Sequence, residues 1–429
     1  MKVLVVGGGG REHALVWALH RSSGVETLRC APGNAGIEKI TECVPLGAGD
    51  IAKLEEHIVG EGYDLVVVGP EAPLVAGLAD RLSEAGVAVF GPSAAAAMIE
   101  GSKVFAKEFM ARHGIPSAEF LVFDDAAAAR RHLETASYPL VVKADGLAAG
   151  KGVIIAPDRD TAIATSEGML SGGSFGDAGR RVVVEERLVG REASFFVLSD
   201  GERFVELATC QDYKRAHDGD HGPNTGGMGT YSPSVYLDDV TRRQLVDRIV
   251  EPTICGLRDE GCPYRGVLYV GVMLTDDGPK VLEYNARFGD PETQVLIPRL
   301  DGDWLPLLHA CAVGGLEGVT PRWKEDAAVC VVMASDGYPG SYPEGVPIEG
   351  VDEAEARGNI TVFHAGTASV DGKLVTAGGR VLGVTALGAD LVQARARAYD
   401  AVSRIRFNGA HHRTDIGMDA VRTLRESHR

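Results

Sequence analysis

The chain is short of positive charge, of long apolar runs and of cysteine, and each shortage closes a class of function. Lys and Arg number 43 against 60 Asp and Glu over 429 residues, a net charge of -17. A chain this acidic has no general attraction for nucleic acid or an anionic membrane. If its substrates are anions, local devices must hold them: backbone amides, helix N-termini, a few Lys or Arg, or a metal ion. The opening MKVLVVGGGG is too short an apolar run for a signal-peptide core, and no later segment approaches a membrane span. The seven cysteines are scattered, odd in number and form no C-x-x-C, which reads as reduced thiols in a cytoplasmic protein rather than a disulfide framework. No low-complexity tract and no repeat of solenoid period is present. What is there, 45% apolar and 24% charged residues, is ordinary for a globular chain of roughly three domains.

Lys2–Val6 reads as a fully buried strand, followed by GGGG and by helical spacing over Arg11–Arg21 (Ala14, Leu15, Ala18, Leu19). Val25–Cys30, Leu65–Val68 and Val87–Phe90 are further strands, each ending at a turn: APGN, GPEAP and GPS. This alternation predicts an open parallel α/β sheet over residues 1–101, with a binding crevice at the strands' C-terminal ends. Ser102 is placed to cap a helix running to His113. YPLVVKADG and GKGVIIA read as two strands joined by a glycine-rich turn, and Val182–Val184 as another. Gln211–Gly229 is polar, shows no periodicity and reads as a long functional loop. Gly266–Thr275 and Pro279–Tyr284 predict an antiparallel pair. Beyond about Ala327 come strands (Val329–Met333, Gly378–Thr385) and a helix near Leu391–Ile405, a separate and smaller α+β unit over 326–429.

Two nucleotide motifs are approached and missed. G-x-G-x-x-G counted from Gly7 needs glycine where Glu12 stands, and from Gly8 where His13 stands. What survives is a glycine turn feeding a helix N-terminus, which suits one phosphate. GLAAGKG lacks the first glycine and the final Ser or Thr of a P-loop, and its flanks are strands. It reads instead as a glycine flap beside Lys143, a lysine-tipped strand that can hold phosphates while backbone amides cover them.

The stretch VLEYNARFGDPETQ carries the sharpest signal. Residues i, i+2 and i+4 of a strand share one face, so Glu283, Asn285 and Arg287 point together. Glu and Asn supply hard oxygens for a Mg²⁺ ion carrying nucleotide phosphates, and Arg287 beside them can clamp a phosphate or carboxylate. The GDP turn then brings Asp290 and Glu292 near the same pocket. The plainer interpretation, a solvated strand edge, is weakened because no Lys or Ser dilutes the three heads. His217 and His221 lie in a Gly/Asp-rich stretch rather than a helix, which speaks against zinc. Cys210 has no base partner in view and reads as structural.

Ser102-Lys103, Lys143 with its glycine flap, Glu185-Glu186-Arg187-Leu188 and the Glu283/Asn285 pair together resemble the ATP-grasp fold. More finely, GGREHAL (9–15), APGNAG (31–36), VGPEAPL (68–74), KADGLAAGKGV (143–153), QDYKR (211–215), GPNTGGMG (222–229) and RFGDPETQ (287–294) resemble the phosphoribosylamine–glycine ligase family. The resemblance runs on through FHAGT (363–367) and GGRVLGVTALG (378–388), over nearly the whole chain. It implies an α/β, multi-domain ATP-grasp architecture. The N-terminal domain is 1–101, the ATP-grasp domain 102–325 with a flap subdomain at about 115–190, and the C-terminal domain 326–429. It implies ligation of glycine to 5-phosphoribosylamine with ATP, through a glycyl phosphate, in purine synthesis.

By the same resemblance Lys103 and Lys143 contact ATP phosphates, and the flap with Gly150 and Gly152 closes over them. Glu185, Glu186 and Leu188 form the adenine hinge, and Glu192 holds the ribose hydroxyls. Glu283 and Asn285 carry Mg²⁺ or Mn²⁺; the preceding strand, GVLYVGVMLT, offers no third metal acid. Gly9, Gly10 and Arg11 hold the ribosylamine phosphate, with Asn34, Glu71 and Asp290 also on the substrate side and Glu71 on sugar hydroxyls. Arg287, Asp212 and Lys214 are the catalytic candidates: Asp212 for an amino group, Arg287 for the glycine carboxylate or its phosphate. The expected partners are these small molecules alone, with no nucleic acid and no membrane, and the expected state is a monomer. Two other functions stay open at this point: an ATP-grasp ligase for a different phosphoribosyl acceptor, and a non-catalytic nucleotide sensor.

Overall fold

The computed structural model describes residues 1–147, 152–172 and 179–427. Its first sheet is parallel and takes the order β3-β2-β1-β4-β5. The strands are β1 (Lys2–Gly7), β2 (Thr27–Pro32), β3 (Glu42–Cys43), β4 (Leu65–Val68) and β5 (Ala88–Phe90). Helices α1 (Gly10–His20), α2 (Ile51–Glu61), α3 (Glu71–Val75), α4 (Leu78–Glu84) and α5 (Ala94–Gly101) lie among them, and α6 (Lys103–Arg112) leads onward. β1 reads KVLVVG because a central parallel strand is covered on both faces. Leu4 and Val6 enter one core while Val3 and Val5 enter another. β2 begins and ends two residues later than its apolar run predicted, because pairing with β1 carries it through Pro32 to Gly7.

The second sheet, antiparallel, has the order β6-β9-β7-β8, with β6 (Phe120–Phe123), β7 (Leu140–Ala144), β8 (Val153–Ala156) and β9 (Val182–Glu186). The third has the order β11-β10-β16-β17, with β10 (Arg191–Asp200), β11 (Phe204–Glu206), β16 (Arg265–Thr275) and β17 (Gly278–Asn285). β10 sends Phe195 and Val197 into the first core and Phe196 and Leu198 into the second. The parallel sheet and the third sheet therefore share both cores.

The fourth sheet departs from expectation. Its order is β12-β15-β18-β22-β19, built from β12 (Gln211–Asp212), β15 (Gly229–Ser232), β18 (Ala327–Ala334), β19 (Ile360–His364) and β22 (Arg380–Gly388). Strands from 211–232 join the sheet of the C-terminal stretch, whose core is otherwise drawn from that stretch itself. Residues 211–229 are not a structureless loop. β13 (Arg215–His217) and β14 (His221–Asn224) form a hairpin, and a second small pair is β20 (Thr367–Val370) with β21 (Lys373–Thr376). The hairpin's polar residues are used against the chain's far end: Arg413 bonds Asp220 at 2.7 Å and Thr414 donates to Asp218 at 2.7 Å. The polarity of this stretch is spent in pairing across almost two hundred residues.

Candidate active site

β17 ends at the candidate site. Glu283 pairs with Gly271 and Asn285 with Tyr269, so the two side chains lie on one strand face as their spacing predicted. The register shifts just before them, leaving Leu282 out of the ladder. Its freed carbonyl accepts a hydrogen bond from Lys143 Nζ at 3.1 Å, so the lysine tip of β7 stands directly beside the pair. Burial pushes the Glu283 carboxyl up, but Lys214, Lys103 and Lys143 outweigh it and hold its pKa at about 2. Lys214 Nζ lies 3.5 Å from Glu283 and 4.0 Å from Glu192. Glu283 is therefore an anion among cations at any ordinary pH.

Lys143 also closes on Glu185, whose other carboxylate oxygen meets Lys107 Nζ at 2.5 Å. Glu185 was expected in the adenine hinge; the structure places its carboxylate, 3% exposed, between two ammonium groups. Lys107 was not anticipated, although it interrupts the apolar face of α6 between Ala106 and Phe109, a signal that a buried partner awaits it. Glu186 is half-buried, accepts the Glu119 N–H at 3.2 Å and lies 3.7 Å from Lys280. Leu188 follows β9 half-buried. Gly152 accepts the Ala144 N–H through its carbonyl at 2.9 Å, while Gly150 lies outside the described residues. Lys103 follows its expected cap: Ser102 Oγ accepts the Phe105 N–H at 3.0 Å and donates to Asp145 at 2.6 Å.

Arg287 stands where the strand runs into the first sheet's crevice. Its Nε faces Glu71 of α3 at 3.3 Å, and another guanidinium nitrogen meets Glu100 of α5 at 3.1 Å. Past the turn, Asp290 accepts from Gln294 at 2.9 Å, and its backbone carbonyl takes a 2.6 Å bond from Arg380. Burial raises the Asp290 carboxyl, and Arg380 and Arg11 bring it below its ordinary range.

A cavity of about 380 Å³ opens here, lined by Gly8, Gly9, Gly33, Asn34, Asp290 and Arg380 among others. Gly8 is required: a Cβ there would sit 2.4 Å from the Gly33 carbonyl. Gly9 lines this cavity, but Arg11 does not reach it. The Arg11 guanidinium is buried against Glu12 at 2.5 Å and the Phe288 carbonyl at 3.1 Å. Of the N-terminal amides of α1, that of Gly9 donates to Glu12 at 2.6 Å and that of Arg11 to Asp290 at 3.4 Å. Gly10 begins the helix, its Cα facing Gln294 and Ala365. Asn34 is also occupied: its amide donates to the Gly8 and His364 carbonyls and accepts from the Gly36 and Ile37 N–H groups. It shapes the wall and offers no spare group. Arg380, which no sequence signal singled out, supplies the cation at this cavity.

Asp212, at the edge of the fourth sheet, carries an oxygen that is fully buried and has no hydrogen-bond partner among the described residues. Burial and then Glu292 push its carboxyl well above the ordinary range, against the pull of Lys214. Such a group gains from a cation arriving beside it. Cys210 next to it is buried, and burial pushes its thiol well up, so it is inert. Among the described residues no cluster of three or more His, Cys, Asp or Glu is arranged for a metal. Glu283 and Asn285 are nevertheless two hard oxygen donors on one face, which fits an ion that takes its remaining ligands from phosphate and water.

Comparison with known proteins gives the family. Residues 1–100 match the N domain of phosphoribosylglycinamide synthetase, 101–293 its ATP-grasp (A) domain and 328–419 its C domain. The chain is 52% identical over 423 residues to a phosphoribosylamine–glycine ligase of Caulobacter vibrioides, covering 98% of this chain and 99% of that one. It is 48% identical over 416 residues to the ligase of the same name from Caldanaerobacter subterraneus subsp. tengcongensis, covering 97% and 99%. A crystal structure of phosphoribosylamine–glycine ligase from Thermotoga maritima superposes with a TM-score of 0.85 at 35% identity, covering 97% of this chain and all of that one.

Proposed function

This chain belongs to the phosphoribosylglycinamide synthetase family, and we propose that its β17 face holds ATP while the strand ends of its first sheet hold phosphoribosylamine. It is an ATP-dependent ligase of ATP-grasp fold that joins glycine to 5-phosphoribosylamine, giving glycinamide ribonucleotide for purine biosynthesis. It uses ATP with a divalent metal ion.

Residues 102–325 form the nucleotide side in this reading. Lys103 and Lys143 bind phosphates, Glu186 and Leu188 edge the adenine, and Glu192 takes the ribose hydroxyls. Glu283 and Asn285 would hold Mg²⁺, with Mn²⁺ as the alternative ion; when bound, the ion neutralises charge on the transferring phosphoryl group. The glycine carboxylate attacks the γ-phosphorus, ADP departs, and the glycine now carries a mixed anhydride. The ribosylamine nitrogen attacks the acyl carbon, phosphate leaves, the amide forms and the nitrogen loses a proton. Positioning and charge neutralisation carry such a sequence. Arg287 neutralises the glycine carboxylate and then its acyl phosphate. Asp212, with its unpartnered oxygen, seats the glycine ammonium, and Lys214 tethers Glu283 and Glu192 beside it. Residues 1–101 supply Gly9 and Glu71 to phosphoribosylamine, Arg380 of 326–429 faces its phosphate, and Asp290 orders the wall between them.

The observation that carries the reading is the placement of Glu283 and Asn285 on one face, with Lys143 bonded to the residue before them. ADP release tests it: turnover must require both glycine and phosphoribosylamine, and release independent of either sinks it. The chain is taken to work as a monomer in the cytoplasm, where its seven free cysteines accord with a reducing compartment. Light scattering at working concentration checks the monomer.

A further inference from the structure

Arg287 is held by two carboxylates that differ in kind. Glu71 approaches Nε at 3.3 Å, and its side chain is 29% exposed at the crevice rim. Glu100 approaches another nitrogen at 3.1 Å, and its side chain is 9% exposed. The second oxygen of Glu100 accepts the Ala286 N–H at 2.6 Å. Ala286 separates Asn285 from Arg287, so one buried carboxylate fixes both the backbone between these residues and the guanidinium itself. A third tie, from Arg287 to its neighbour's carbonyl on Phe288 at 3.3 Å, leaves the fork with donors to spare.

We propose that Glu100 is a positioning residue for the ligation: the permanent partner that aims Arg287 at the glycine acyl group, while Glu71 is the exchangeable partner released to the second substrate. Exposure and bonding both assign the roles. A carboxylate locked on a buried backbone amide cannot leave without stranding that N–H, whereas Glu71 can turn to sugar hydroxyls at the rim and be replaced on Nε by the incoming carboxylate. With Glu100 in place the guanidinium remains aimed when Glu71 lets go. This rests on the reading of Arg287 as the acyl clamp, and the test separates the two.

Glu100→Gln keeps an acceptor for the Ala286 N–H but withdraws the charge from Arg287 and turns an amide N–H toward it. ADP release is measured with each substrate varied in turn. The expected result is a glycine KM raised about tenfold or more, an ATP KM changed less than about twofold, and a Tm close to that of the parent chain. In an Arg287→Lys background the same substitution shifts the glycine KM by less than about twofold, since it acts through that residue. Glu100→Asp retains the charge at shorter reach, gives a smaller but equally glycine-selective rise, and serves if the Gln variant does not fold. A rise shared equally by all three substrates, or full additivity with Arg287→Lys, overturns the proposal. If Arg287→Lys alone leaves the glycine KM unchanged, the clamp reading falls and takes the proposal with it. If Arg287→Lys raises it and Glu100→Gln does not, the role of Glu100 alone is lost.

Discussion

Lys107 and Glu185 form an ion pair 2.5 Å long in which each side chain is 3% exposed. Because Lys143 closes on the other oxygen of the same carboxylate, the cluster holds two cations and one anion away from water. A buried excess of positive charge is costly until an anion joins it, and the nucleotide's phosphates supply that anion. Lys107→Met leaves Glu185 with Lys143 alone. With the excess cation gone and Glu185 still paired, stability should hold or rise. Lys143 is also drawn more tightly to Glu185, so the ATP KM rises. Urea unfolding and ATP titration of turnover read the two effects, and an unchanged ATP KM would remove the link.

Glu283→Gln preserves shape and removes the carboxylate that faces Lys214, Lys103 and Lys143. Turnover should fall by about two orders of magnitude, the scale for deleting one electrostatic contact to a developing charge. The concentration of Mg²⁺ needed for half-maximal activity should rise. Activity retained with the parent's Mg²⁺ dependence would mean that β17 does not carry the ion.

Asp212→Asn separates binding from folding. One oxygen of the parent carboxylate is buried and bonds nothing among the described residues, so neutralising the group should leave Tm unchanged or higher. The glycine KM should nevertheless rise about tenfold, because a charge-assisted hydrogen bond to the ammonium is lost. A lower Tm with an unchanged glycine KM would make Asp212 structural.

Glu71→Ala should raise the phosphoribosylamine KM well before it affects that of ATP, since Glu71 stands at the crevice rim on α3 and, among the described residues, pairs only with Arg287. Parallel titrations of the two substrates decide it; equal effects would place Glu71 outside the sugar site.

His13 and His364 predict how stability responds to acid. Burial and then the neighbouring His364 depress His13 to about 3, and burial and then Lys39 depress His364 to about 4, against an ordinary value near 6.5. Below that ordinary value the unfolded chain takes up protons that the folded chain refuses. Stability is therefore whole above about pH 6.5 and falls as pH drops toward 4, by up to about 1.4 kcal/mol per pH unit for each histidine. His13→Asn can still accept the His364 N–H that now bonds Nδ1 at 2.7 Å. Its Tm should fall less steeply than the parent's between pH 6.5 and 4.5; parallel curves would contradict the assignment.

The sequence by itself determined what depends on neighbours in the chain. The parallel strands of the first sheet, the Ser102 cap and the shared face of Glu283 and Asn285 follow from side-chain period and local hydrogen bonding, which act over a few residues. Tertiary structure alone decided which polar groups are spent and which remain available. Arg11 and Asn34 looked free and are consumed by Phe288 and His364, hundreds of positions away. Glu100, Lys107 and Arg380 looked incidental and stand against the site, Glu100 reaching Ala286 across 186 residues. Strands from 211–232 joined the C-terminal sheet for the same reason: pairing energy depends on distance in space, and no local pattern records which distant backbone a strand will find.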